Sequence, residues 1–281
     1  MLSSTVSVII AVSQLYGAAQ AAHSSPRRNL GSRTSQDVGT GLFGRSTTNC
    51  GTSGPASCQN TTIQTDLCCF EAPGGLLVQT QLWDTNPSTG PSDSWTIFGL
   101  WPGNCDLTYD TSCDPARDYT DITGLLNNAG QQSLVSYMNT YWVPDSGTPE
   151  SFWEHEWSTH GTCYSTLNPS CIINYANGEE AVSFFERAVG LFQTLPTYTW
   201  LANARITPSS TVTHTLTSLT NALTTASGGY TPALYCTNQV LNQIYWYFNL
   251  KGSLIDGEFV PISAPQVGSC PSSGIKYLPK N

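Results

Sequence analysis

Phe152-Trp-Glu-His-Glu-Trp-Ser-Thr-His-Gly-Thr-Cys163 crowds three large aromatic rings, two carboxylates and two imidazoles into one short stretch. On a helix, Glu156 and His160 lie four positions apart on one face, as do His155 and Thr159. The spacing predicts a helix over Ser151–Thr162, with the Glu156 carboxylate beside the His160 imidazole, raising its pKa and fixing its orientation. That arrangement suits a histidine that exchanges protons in the acid-to-neutral range. The plainer reading is an amphipathic helix with surface ion pairs. Against it, this density of ionisable groups among aromatic rings is costly to fold unless some of them line a cleft. A zinc helix of the His-Glu-x-x-His kind does not fit, because three residues, not two, separate Glu156 from His160.

A second stretch, Trp95-Thr-Ile-Phe-Gly-Leu-Trp-Pro-Gly-Asn-Cys105, reads as a strand over Trp95–Trp101 between turn-forming clusters. Leu76–Trp83, Ala233–Cys236, Gln243–Lys251 and Glu258–Ile262 read the same way. Helical spacing recurs in Ile122–Leu126, Ser133–Trp142 and Glu179–Leu195, and a further helix is predicted from Ser209 to Thr225, entered after Pro208 with Ser209 or Ser210 as its cap. Helices and strands mix without regular βαβ alternation, so the expected fold is α+β with a central, largely antiparallel sheet flanked by helices.

The rest of the chain bounds the setting. Val6 to Ala22 is apolar and ends in small residues, Ala19 and Ala21, which reads as a signal peptide over residues 1–22. Residues 23–49 are rich in Ser, Arg, Gly and Thr and read as a flexible pro-segment or tail, with Arg27-Arg28 as a candidate processing site and no role for His23. The folded domain is expected over 50–281. Ten cysteines, at 50, 58, 68, 69, 105, 113, 163, 171, 236 and 270, suit an oxidising compartment, although spacing alone leaves their pairing open. Together these features predict a secreted, extracellular protein with no membrane anchor once the signal is removed. A zinc site is not expected, since no histidine lies at ligand spacing from a cysteine pair. From Cys50 onward six basic residues face eighteen acidic ones, a net charge of about −12, which excludes a broadly basic nucleic-acid surface. Asn60-Thr61-Thr62 is the acceptable N-glycosylation sequon, and His214 reads as a solvated surface residue.

Both aromatic stretches resemble the two signature segments of the ribonuclease T2 family, the acid ribonucleases of fungi and their plant relatives, and the cysteine order follows the fungal members over the whole body. The resemblance implies bridges Cys50–Cys69, Cys58–Cys105, Cys68–Cys171, Cys113–Cys163 and Cys236–Cys270. It implies a monomer that cleaves single-stranded RNA through a 2′,3′-cyclic phosphate, without metal or cofactor. By motif position His160 would take the 2′-hydroxyl proton, Glu156 would stabilise the phosphorane and His155 would contact phosphate. Trp101 and Tyr109 would stack on one base, with Phe152 and Gln81 as candidates for a second base site.

Three positions depart from that pattern. Phe98 stands where the family has the histidine that protonates the leaving oxygen, Thr159 where it usually has lysine, and Gly103 where it commonly has aspartate. A phenyl ring has no proton to exchange. Strongly reduced RNA cleavage is therefore expected, and two readings follow: a slow endoribonuclease in which His155 or a water supplies the proton, or a non-catalytic secreted RNA- or protein-binding factor acting as a decoy or effector.

Overall fold

The computed structural model describes residues 50–60, 62 and 64–280, together with the backbone of 46–47. The expected signal peptide, the tail, Arg27-Arg28 and His23 lie outside the described residues. The main sheet has seven strands: β1 (Leu76–Leu82), β2 (Thr96–Gly103), β3 (Thr213–His214), β4 (Ala233–Thr237), β5 (Val240–Lys251), β6 (Glu258–Ile262) and β7 (Ile275–Lys276). Its spine is the long strand β5. One edge of β5 pairs antiparallel with β1, which pairs in turn with β2. The other edge is shared by β4 and β6, while β7 touches β5 in parallel at Val240. The helices are α1 (Ile122–Asn128), α2 (Gln132–Tyr141), α3 (Pro149–Thr159), α4 (Glu179–Gln193), α5 (Thr197–Asn203) and α6 (Leu216–Ala226).

Strand side chains alternate between faces. Leu77 on β1 and Ile244, Trp246, Phe248 and Leu250 on β5 point into the main core, where they meet Trp142, Trp153, Trp157, Phe184 and Phe185 of the helical layer. Each such side chain contributes about 1.5–3 kcal/mol when fully buried. Leu76, Val78 and Tyr247 point the other way and form a second, smaller cluster with Trp101, Tyr235 and Tyr245.

Two helices differ from expectation. Helix α3 stops at Thr159, with His160 as its C-cap and Gly161–Cys163 continuing as a 3₁₀ turn. The tighter turn lets Gly161 sit against the Trp157 ring, where a Cβ would fall 2.3 Å from a ring carbon, and lets Cys163 reach Cys113. Helix α6 begins at Leu216, capped by the Thr215 side chain and not by Ser209 or Ser210. Ser209 instead closes a turn by accepting from the backbone of Thr211 and Val212, and Thr213–His214 pair with Ile275–Lys276. Sheet pairing thus takes residues that would otherwise extend the helix.

Five disulfides staple the body: Cys50–Cys69, Cys58–Cys105, Cys68–Cys171, Cys113–Cys163 and Cys236–Cys270, the pairs that the resemblance implies. Cys68–Cys171 spans 103 residues, a closure that stabilises by about 4–5 kcal/mol in the chain-entropy account. Among the described residues no helix is long and apolar enough to cross a membrane.

Candidate active site

The site begins with an irregularity in β2. Gly99 pairs with Thr80 and Ile97 with Gln81, so Phe98 is the extra residue of a β-bulge. In a regular strand residues 98 and 101 would point to opposite faces. Here the Phe98 ring meets Trp101 edge-on at 4.9 Å between centroids and lies 6.0 Å from Phe152 of α3. The Trp142 indole donates to the Phe98 carbonyl, which anchors the bulge to the helical layer.

Next to the bulge, Gly99 has no side chain, and the Glu156 carboxylate fills the space. A Cβ at Gly99 would fall 2.0 Å from Glu156 Oε2 and 2.5 Å from Trp101 Nε1. The Trp101 indole donates to Glu156 Oε2 at 2.9 Å. Glu156 is otherwise sealed, 1% exposed, and burial pushes its carboxyl up to about 8 against the pull of that one hydrogen bond.

His160 corrects the expected pairing. Its imidazole does not draw a raised pKa from Glu156; it stacks on Trp101 at 5.0 Å and 27°, while the indole N–H occupies the carboxylate. Burial, aided by His155, pushes His160 down to about 4. The same cause acts on both groups, because removing water penalises the charged form of acid and base alike. Glu156 is therefore a neutral acid and His160 a neutral imidazole over most of the range between those values.

The remaining candidates divide. His155 Nδ1 lies 3.2 Å from Thr159 Oγ1, one helical turn away on the expected shared face, and its ring is 6.4 Å from that of His160. Tyr109 is 74% exposed and is brought to the end of β2 by a bridge to Gly103. It shares a groove of about 410 Å³ with Trp101, His160, Leu76, Val78 and Tyr245. Phe152 and Phe98 open on a second recess of about 420 Å³, with Leu82, Asp84 and Pro144. The two recesses lie on either side of the Phe98–Trp101 contact. Gln81 is a correction: it is on the core face of β1, fully buried, with its amide donating to the Leu195 carbonyl and accepting from Thr197, so it cannot reach a ligand. His214, on β3, is partly buried.

Sequence reasoning passed over three positions. Gly99 makes room for Glu156, and the only cue is its place between Phe98 and Trp101. Arg117 is buried, pairs with Asp114 and donates to the carbonyls of Thr162 and Leu167, holding the chain just beyond His160. Its own carbonyl accepts from the Trp157 indole. Glu71 is also fully buried and accepts four hydrogen bonds, from the backbone and hydroxyls of Ser165 and Thr166. Among the described residues no set of three His, Cys, Asp or Glu side chains is placed to hold a metal ion.

A family model described as the ribonuclease T2 family matches residues 74–257, which include the bulge, α3 and His160. The chain belongs to the ribonuclease T2 family. Ribonuclease Le2 of Lentinula edodes is 59% identical to this T2 ribonuclease over 235 residues, covering 83% of this chain and 97% of that protein. Ribonuclease T2 of Aspergillus oryzae is 47% identical over 226 residues, covering 80% and 82%. The crystal structure of Actibind, a T2 ribonuclease, matches with a TM-score of 0.79 at 48% identity, covering 82% of this chain and 98% of that one. The family and its fold support an endoribonuclease function for the T2 ribonuclease body, and RNA as the class of molecule on which it acts.

Proposed function

We propose that this protein is a secreted, monomeric T2-type endoribonuclease that binds single-stranded RNA and cleaves it through a 2′,3′-cyclic phosphate, with turnover strongly reduced by the loss of its general acid. The observation that carries the reading is the bulged Phe98, whose ring packs on the edge of Trp101 while His160 stacks on the same indole. A phosphodiester seated beside Trp101 would have an imidazole to one side and a hydrocarbon ring to the other.

In this reading neutral His160 accepts the ribose 2′-hydroxyl proton, and the freed oxygen attacks phosphorus. Charge then builds on the phosphorane oxygens. Glu156, 1% exposed and lining neither recess, serves by fixing the Trp101 indole beside them in place of the direct phosphorane contact that the resemblance implies, and His155 contacts one of the oxygens. The 5′-oxygen must leave without a proton from position 98. A positioned general acid is worth about 10²–10⁴-fold, so the expected deficit is of that order. Trp101 and Tyr109 hold the base of the attacking nucleotide by stacking, and Phe152 flanks the next one. Thr159 leaves the phosphate without the family's usual lysine.

Secretion and maturation belong to the same proposal: residues 1–22 are the signal peptide that is removed, 23–49 are a pro-segment or tail, and 50–281 are the ribonuclease domain, with a glycan on Asn60. The ten bridged or bridgeable cysteines suit an oxidising environment.

The second reading, a non-catalytic RNA- or protein-binding factor, is favoured by one observation. Among the described residues no lysine or arginine lines either recess: Asp84 and Asp145 stand in the one beside Phe98 and Phe152, and Trp101, Tyr109 and Tyr245 in the other. An RNA degradation assay near pH 5, with His160→Ala to exclude a contaminant, separates the two. Release of cyclic phosphate by wild type and Phe98→His then tests the mechanism. A gain of about 10²-fold or more is expected, and equal rates would mean that another group already supplies the proton.

A further inference from the structure

Tyr235 on β4 and Tyr245 on β5 lie on the outer face of the sheet, opposite the helical core, and both are half-buried. Their strand neighbours Leu234, Ile244 and Trp246 point into that core, so the two tyrosines are not what holds it together. Their rings are 4.3 Å apart at 37°, and Tyr245 meets the edge of Trp101 at 5.5 Å and 83°. The three rings make one aromatic strip that begins in the groove of His160. It is also braced. The Tyr245 hydroxyl donates to Gln243, and Tyr247, two residues along on the same face of β5, packs in the same cluster.

We propose that Tyr235 and Tyr245 form a further stacking subsite, which takes the base one nucleotide to the 5′ side of the base held at Trp101. This inference rests on the RNA reading above. The polarity follows from it: the leaving 5′-oxygen and the downstream nucleotide lie toward Phe98 and Phe152, and the tyrosine strip runs from Trp101 beside the other recess. The chemistry suits this protein in particular. A body carrying about −12 cannot hold a strand mainly through its phosphates, whereas aromatic faces bind bases of any identity without charge. Continuity with the Trp101 groove selects an extended strand over an unrelated partner.

The test measures anisotropy of labelled, fully 2′-deoxy oligonucleotides, which lack the attacking hydroxyl and so report binding alone. A dinucleotide is compared with trinucleotides that add one base at the 5′ or the 3′ end. The added 5′ base is expected to tighten binding by about tenfold, the lower part of the range for one stacked base. Tyr235→Leu should remove most of that gain and leave the dinucleotide affinity within about twofold, while Tyr235→Phe should retain it. Tyr245→Leu should act the same way on the difference between the two lengths, and melting curves confirm that each variant folds.

A 5′ gain that survives both leucine variants overturns the proposal, as does a 3′ gain that they abolish or the lack of any 5′ gain in wild type. If neither dinucleotide nor longer strand binds, the RNA reading itself fails and takes this one with it. If wild type sediments as a dimer that Tyr235→Leu dissociates, the strip is a self-association surface and the subsite is rejected.

Discussion

Replacing Gly99 by alanine tests whether the bulge, the carboxyl and the indole form a single unit. The new methyl would fall 2.0 Å from Glu156 Oε2 and 2.5 Å from Trp101 Nε1, far inside contact distance. Glu156 is 1% exposed and cannot simply swing into water. Either the core is overpacked, at about 1–3 kcal/mol, or the Trp101–Glu156 hydrogen bond breaks and strands a buried donor, at about 1–3 kcal/mol. Part of each is expected together, so the loss should be about 2–4 kcal/mol. For a body of this size that corresponds to a fall in Tm of about 4–16 °C. Urea unfolding followed by tryptophan fluorescence measures it, and the double variant Gly99→Ala with Glu156→Ala should recover part of the loss by vacating the space. A Gly99→Ala variant within 0.5 kcal/mol of wild type, a threshold set by ordinary surface substitutions, would show that the carboxyl is not wedged there and that the site geometry argued above is wrong.

Other expectations follow from the same groups. Burial raises Glu71 to about 7 and Glu156 to about 8, so each stabilises the fold fully below the ordinary glutamate range and loses that contribution as pH climbs through those values. His160, pushed down to about 4, acts oppositely: its contribution is present above the usual histidine value and is lost as pH falls toward 4. Stability should therefore decline between about pH 6.5 and 7.5, below the value of about 8 to which burial lowers Lys280, and Glu156→Gln should flatten that slope in urea melts at about pH 6.5 and 7.5; an unchanged slope would count against a buried, protonated Glu156. Arg117→Met should cost about 2–4 kcal/mol by leaving the buried carbonyls of Thr162 and Leu167 unpaired, while the more exposed Asp114 turns to water, with faster hydrogen exchange around 160–167; a loss under about 1 kcal/mol would show that those carbonyls do not depend on Arg117. Trp101→Phe removes the donor that lowers the Glu156 pKa, so titration of that carboxyl by infrared should move further upward; a downward move would contradict the hydrogen bond.

Several features were open to inspection of the chain alone. The family and the strand and helix that carry the candidate site are written in two short stretches, because motif spacing on local elements is a property of the chain itself. Other features depended on neighbours distant in the chain. Nothing local to Trp95–Trp101 announces a bulge, yet pairing against Thr80 and Gln81 is what turns Phe98 toward Trp101. Leu76, Val78 and Thr80 alternate with Leu77, Gln79 and Gln81, so the period of β1 is readable but the buried face is not; the helical layer decides it and takes Gln81 into the core. Helix spacing correctly placed Glu156 and His160 within one turn. Whether they attract each other's charge is a matter of desolvation, which depends on everything packed around them, and the enclosing core holds both groups neutral, for Glu156 against the pull of the Trp101 hydrogen bond. Periodicity and chemical identity are properties of the chain; exposure to water is a property only of the folded whole.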